Sequence, residues 1–276
     1  MSHLKENQEK KMTNGKIMCR RAGFTLIELL VVISIIALLM AILMPALSKV
    51  KDQAKAAICL SNMHQLGVAW QMYTSDNRQQ FTHGLEWVVP LFPYYVNRKL
   101  LICGSASKPV IPPELGVPQR GGKFSPWVRW EHVDIGGATE YVCFIGSYGY
   151  NFWCTENTGG GRGAVRLWRK ADVRRAAYAP ILTDSAAVGY CPTAADSPPV
   201  YDGQIYFSEP EDIDEIRSAC LNRHNEAVNV LFFDFSVRRT GLKELWLLWW
   251  HRDWPIPTAW PLPIWPAWME HMKDPY

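Results

Sequence analysis

The sequence predicts an α+β fold in which one long amino-terminal helix packs on an antiparallel β-sheet head. Three observations carry that reading. Twenty residues from Leu29 to Ser48 contain no charge. After them Cys59, Met63, Leu66, Trp70 and Tyr73 recur at spacings of four, three, four and three, which is one face of a continuing helix. Beyond residue 77 the pattern shortens into runs rich in aromatic and β-branched residues, separated by Gly, Pro and Asn clusters.

The helix begins near Phe24 and divides into two parts. From Phe24 to Leu47 only Glu28 is charged, and a helix of that length reaches about 36 Å, against about 30 Å of hydrocarbon in a bilayer. This is the predicted membrane-spanning part. Pro45 sits near its end, where it removes one helical hydrogen bond. Residues 48–76 continue as an amphipathic helix, with Lys49, Lys51, Asp52 and Lys55 as a solvated collar and Thr74–Asn77 as the stop. The flank before Phe24 is basic, so the amino terminus is expected on the cytoplasmic side and the remainder outside.

Strands are expected at Tyr141–Ile145, Tyr178–Leu182, Gln204–Phe207, Val228–Phe233 and Ser236–Arg239. Gly104–Gly122 and Thr155–Gly163 read as long loops. Leu242, Leu245, Trp246 and Trp249 keep helical spacing, so a short helix is expected there. Six prolines follow it, and they imply an extended, helix-free tail. The resulting plan is a basic leader (1–23), a membrane helix (24–47), its amphipathic continuation (48–76), a β-rich head (77–245) and a Trp/Pro-rich tail (246–276).

Charge narrows the function. The chain of 276 residues carries 29 basic and 26 acidic groups. Residues 1–23 hold six of the basic groups and two of the acidic ones, so the remainder has a net charge of −1. No broad basic field exists beyond the leader to hold phosphates, which argues against nucleic acid as a partner.

Glu28 is the feature that a plain membrane anchor does not explain. Gly23-Phe24-Thr25-Leu26-Ile27-Glu28-Leu29 closely resembles the processing site of type IV pilins and type II secretion pseudopilins. The resemblance implies cleavage between Gly23 and Phe24 by a prepilin peptidase and N-methylation of Phe24. It also implies a pilin-like fold and assembly with other pilin or pseudopilin subunits on an inner-membrane platform driven by an ATPase. The new ammonium group at Phe24 then gives Glu28 a partner, in the same chain or in an axially displaced neighbour. A charge at mid-bilayer costs about 2.5–3.5 kcal/mol, so such a pairing is favoured.

A second resemblance covers the head. Ile58 to Gly67 is similar to the stem–head junction of a large pseudopilin-like family that carries a His-x9-Asp-Gly motif. His224 and Asp234 stand at the family's separation, with Phe235 in place of the glycine. In a two-residue hairpin both central residues need positive φ, so Phe235 is expected to cost about 1 kcal/mol or more. The His224–Asp234 pair is expected to act structurally, as a hydrogen bond steadying the hairpin.

No catalytic constellation is recognisable. There is no Gly-x-Ser-x-Gly elbow, no His-Glu-x-x-His helix and no phosphate loop. Six cysteines follow the leader: Cys59, Cys103, Cys143, Cys154, Cys191 and Cys220. In an exported domain they admit up to three disulfides, with the connectivity open. The absence of Cys-x-x-Cys argues against zinc, and no metal ligand set is assigned. Asp202, Glu209, Glu211, Asp212, Asp214 and Glu215 offer carboxylates of the kind calcium takes, but a solvated helix start accounts for them better.

Seven of the 13 tryptophans lie in the last 31 residues. They either cover the head or grip a ligand such as a glycan. The sequence therefore points to a non-enzymatic filament subunit anchored in the inner membrane, with its head in the periplasm or on an extracellular filament. A glycan-binding adhesin and, behind it, an anchored envelope enzyme are the alternatives.

Overall fold

A computed structural model of the chain describes residues 25–82, 84–95, 97–108, 119–135, 137–155, 167–168, 170–171, 173–203, 216–255 and 263–275. The chain divides into two compact units, with the boundary between Ser48 and Lys49. Helix α1 runs Leu26–Asp76 and contributes to both.

In the first unit α1 is apolar all round, and its Leu, Ile, Val and Met side chains are exposed. A helix that is hydrophobic on every face needs an apolar surround. Its one interior hydroxyl before Pro45, on Ser34, is satisfied by donating to the Leu30 carbonyl at 2.8 Å. That bond removes the cost of an unpaired polar group in hydrocarbon.

In the second unit the helix buries one face: Cys59, Met63, Leu66, Gly67, Ala69, Trp70 and Thr74. The expected stripe is present, with Tyr73 half-buried at its edge. The helix stops where expected. The Asn77 side chain donates to the Tyr73 carbonyl at 2.8 Å, and Arg78 and Gln79 take left-handed φ values of 54° and 64°. A left-handed residue past the last turn cannot continue a helix.

Among the described residues two sheets form. Strands β1 (Trp127–Ile135) and β2 (Ala138–Gly146) make an antiparallel hairpin. Strands β3 (Tyr148–Asn151), β4 (Pro180–Asp184), β5 (Gly189–Tyr190), β6 (Ala227–Phe232) and β7 (Val237–Gly241) form the second sheet, in the order β5-β3-β4-β6-β7. Every pairing in it is antiparallel except β3 with β5. Strands β4 and β6 are buried at every residue, so both faces are covered. Trp70 of α1 stacks on Tyr150 of β3 at 5.1 Å. A Cβ at Gly67 would stand 2.8 Å from Leu231 Cδ1, so the helix backbone rides close on β6.

Several expectations change. Tyr178–Leu182 becomes a 3-10 turn at Ala176–Tyr178 followed by β4, because Pro180 cannot extend a strand backwards through its missing N–H. Strands β1, β3 and β5 were not anticipated; Gly136-Gly137 was the sequence signal for the first hairpin, and Gly137 takes φ 88°. The helix expected at Leu242–Trp249 is a 3-10 turn, Lys243–Leu247. The tail is not helix-free: α2 spans Ala267–Glu270, since Pro266 is tolerated as a cap and the next proline is Pro275. Gln204–Phe207 lies outside the described residues.

The tail tryptophans are largely spent inside the second unit. Trp246, Trp250 and Trp254 are buried, and Trp249, Trp265 and Trp268 pack against the core. Their indole N–H groups find carbonyls: Trp246 donates to Asp196 at 2.9 Å, Trp250 to Leu245 at 2.8 Å and Trp268 to Pro199 at 2.8 Å. Trp260 lies outside the described residues.

Candidate functional site

Two groups of residues carry chemistry, one in each unit. In the first, Thr25 is the residue before α1 and Glu28 lies in its first turn. The Thr25 backbone N–H donates to Glu28 Oε2 at 2.9 Å, and the Thr25 hydroxyl donates to the same oxygen at 2.8 Å. In return, the Glu28 N–H donates to Thr25 Oγ1 at 3.3 Å. This is a reciprocal capping box, in which each side chain satisfies the other's backbone donor. Glu28 therefore has a use before any partner arrives. The Thr-x-x-Glu spacing ahead of an apolar run was the sequence signal for it. Gly23 and Phe24 lie outside the described residues.

The second group is buried and polar, and it sits where α1, β4 and β6 meet. Asp184 ends β4, is fully buried, and accepts from the Asn229 amide at 2.7 Å. His224 precedes β6, and its Nε2 lies 3.2 Å from Asp184 Oδ2. Cys103 Sγ is 3.4 Å from the same nitrogen. Cys59 Sγ, from α1, is 2.9 Å from Cys103 Sγ and accepts from the Gly104 amide, also at 2.9 Å. Arg223 closes the group: its guanidinium donates to the carbonyls of Ser147, Gly122 and Ser185 at 2.6, 2.6 and 2.9 Å, and Nη1 lies 3.7 Å from Asp184 Oδ1.

The electrostatics follow from these contacts. Burial acts to lower the His224 pKa, but hydrogen bonds to Asp184 and Cys103 outweigh it and push it up to about 10. Burial acts to raise Asp184, yet the bond and charge of His224, the charge of Arg223 and the Asn229 amide hold it below the usual carboxylate value. The hydrogen bond between Cys59 and Cys103 lowers the Cys59 thiol below its usual value. Burial, followed by the bond to Cys59, raises Cys103. The cluster is a buried ion pair with two thiols against it.

The structure does not bring His224 and Asp234 together. His224 precedes β6 and Asp234 follows it, where Asp234 is exposed and accepts from the Ser236 amide and hydroxyl at 2.9 and 2.6 Å. The expected His224–Asp234 hydrogen bond is replaced by His224–Asp184. The hairpin also differs from the expected two-residue form. The Phe235 amide donates to Phe232 O at 2.9 Å, the Phe232 amide donates to Ser236 O at 3.0 Å, and Phe235 takes φ 60° while Asp234 does not take a positive φ. This is a three-residue loop ending in a left-handed bulge position, the place glycine normally fills.

Asp184 and Arg223 were missed by sequence reasoning, because residues this far apart have no local signature. The same is true of the sulfur pair. Cys59, Cys103 and His224 place their ligand-type atoms within 4.8 Å of one another, although no Cys-x-x-Cys spacing exists. Of the acidic stretch, Asp202 is described: it pairs with Lys123 and accepts from the Asn222 amide at 3.2 Å. Residues 209–215 lie outside the described residues. Cys143 is half-buried, while Cys154, Cys191 and Cys220 are buried.

Two comparisons with known proteins each match part of the chain. Residues 18–44 match the prokaryotic N-terminal methylation motif. Over 58 residues, 21% of this chain, the sequence is 36% identical to type II secretion system core protein G of Pseudomonas aeruginosa. The chain spans 41% of that relative's length. No solved structure matches. The family match is thus confined to the amino-terminal segment.

Proposed function

We propose that the chain is a structural subunit of a type IV pilus-like or type II secretion-type filament, cleaved between Gly23 and Phe24 and methylated on Phe24. The observation that carries this reading is the single carboxylate, Glu28, at the start of the apolar part of α1, which is uncharged from Leu29 to Ser48 and overlaps the methylation motif. Before cleavage Glu28 caps its own helix. After cleavage it is the anion nearest the new Phe24 ammonium group, and that charge is what a neighbouring subunit can pair with.

The partners under this reading are the prepilin peptidase, like subunits, and the inner-membrane assembly platform with its ATPase. The chain spans the inner membrane once, amino terminus inside, with residues beyond Ser48 in the periplasm or on the filament. The size of that head favours a minor or specialised subunit. The likeness of the amino-terminal segment to filament-type proteins makes the reading structural rather than enzymatic. The packing of the described tail tryptophans leaves less aromatic surface for the adhesin alternative.

N-terminal sequencing and intact mass of the protein taken from its native membrane test the proposal. A mature chain starting at Phe24 and one methylene heavier is expected. An uncut start, or a cut beyond Leu47, overturns it.

A further inference from the structure

We propose that Cys59 and Cys103 form a disulfide that staples the stem helix to the head. The two sulfurs stand 2.9 Å apart and both side chains are wholly buried. Bringing them to the disulfide length of about 2.05 Å takes less than about 1 Å of movement. Cys59 lies on the buried face of α1, and Cys103 follows the turn Arg98–Leu101, so the bond closes a span of 44 residues.

A metal ion is the competing occupant, since His224 completes a three-ligand group. Three observations favour the disulfide. Zinc with Zn–S bonds of about 2.3 Å holds two tetrahedral sulfurs about 3.8 Å apart, wider than the pair found here. The His224 nitrogen facing the thiols, Nε2, is already engaged by Asp184. The other nitrogen, Nδ1, is buried with no hydrogen-bond partner among the described residues, whereas a ligating histidine has its second nitrogen held by a carboxylate or carbonyl.

The chemistry balances with a donor disulfide as oxidant. A Cys59 thiolate attacks one sulfur of the donor, giving a mixed disulfide and releasing a donor thiol. Cys103 then attacks the Cys59 sulfur and releases the second. Overall, the two cysteines lose two electrons and two protons, and both sulfurs of the donor leave as thiols. Because both sulfurs are buried in the folded head, the reaction belongs to a stage before the stem helix has docked. In the cell it rests on the export reading, since donor disulfides prevail in that compartment.

The test is peptide mapping of the full chain in detergent, refolded with oxidised glutathione and then blocked, denatured and digested without reductant. A peptide pair joined through Cys59 and Cys103, two hydrogens lighter than its parts, is expected. Free, alkylatable Cys59 and Cys103 overturn the proposal, as does either one joined to another cysteine. Stoichiometric zinc retained by the purified chain and lost in Cys59→Ser also overturns it. The same map on protein blocked directly in its native membrane separates the two readings. A link that appears only after added glutathione leaves the pairing standing and counts against export.

Discussion

At the scale of single residues, Glu28 caps its helix and, on the proposed reading, also carries the charge that pairs with the Phe24 ammonium; a substitution can separate the two. Glutamine keeps the acceptor that caps the Thr25 amide but carries no charge, whereas leucine loses both. Glu28→Gln is therefore expected to keep the helix start while lowering filament yield by about tenfold or more, the equivalent of about 1.4 kcal/mol per subunit contact. Sedimented filament measured against membrane-held subunit reads this out; wild-type yield would remove the charge-pairing argument.

Phe235 offers a second residue-scale test. Its backbone sits at φ 60°, where a Cβ is strained and glycine is not. Phe235→Ala and Phe235→Gly both remove the ring, so their difference isolates the backbone. The glycine variant is expected to be the more stable by about 1 kcal/mol, the reverse of the order in ordinary strand positions. Urea unfolding of the two variants decides it.

The third residue is His224. Its folded pKa is raised from 6.5 to about 10, so its stabilising contribution is complete below pH 6.5 and is lost as pH rises toward 10. Asp184 is shifted the other way, so its contribution is present above the ordinary value of 3.8 and is lost as pH falls through the lowered one. The urea midpoint of the wild type is expected to fall between pH 6.5 and 10 relative to that of His224→Gln. Parallel profiles for the two would show that the ion pair with Asp184 contributes nothing.

At the scale of elements, the second half of α1 is held through one buried face. Trp70 is fully buried and stacks on Tyr150, while Val68 on the opposite face is 46% exposed. Trp70→Ala is expected to cost about 3–5 kcal/mol, as other buried aromatics do, with Val68→Ala within about 0.5 kcal/mol of wild type. Denaturant unfolding of the two measures the asymmetry; equal losses would mean that the helix is not docked through this face. The hairpin β1–β2 shows a different control. A Cβ at Gly146 would lie 2.3 Å from the Trp127 ring, so glycine there is a packing requirement. Strands β4 and β6 are buried at every residue, and their polar members Asp184 and Asn229 are joined there by the Asn229 amide donating to the Asp184 carboxylate.

At the scale of the whole chain, the tail acts as part of the second unit. Met269 and Met272 are buried, and the Lys243 ammonium, itself buried, donates to the Met272 carbonyl at 2.9 Å and to Asp274 at 2.8 Å. Ending the chain at Pro255 is expected to cost about 3–6 kcal/mol, at about 1.5–3 kcal/mol for each methionine. Thermal unfolding of the truncated protein checks this, and an unchanged midpoint would return the tail to the status of a free appendage.

Much of this was legible beforehand because it is written in local order. Length and apolarity pointed to the helix, the face from Cys59 to Tyr73 to its docking side, and runs rich in aromatic and β-branched residues to β2, β6 and β7. The methylation motif is likewise contiguous, so Glu28 stood out at once. What the sequence could not reveal depends on residues brought together from far apart. Asp184 replaced Asp234 as the partner of His224, and Cys103 met Cys59, because a sheet order of β5-β3-β4-β6-β7 sets the ends of β4 and the start of β6 beside the helix. Covalent neighbours fix helix period, charge and the contiguous amino-terminal motif; which buried polar groups share a dry interior is fixed only when packing chooses the strand order.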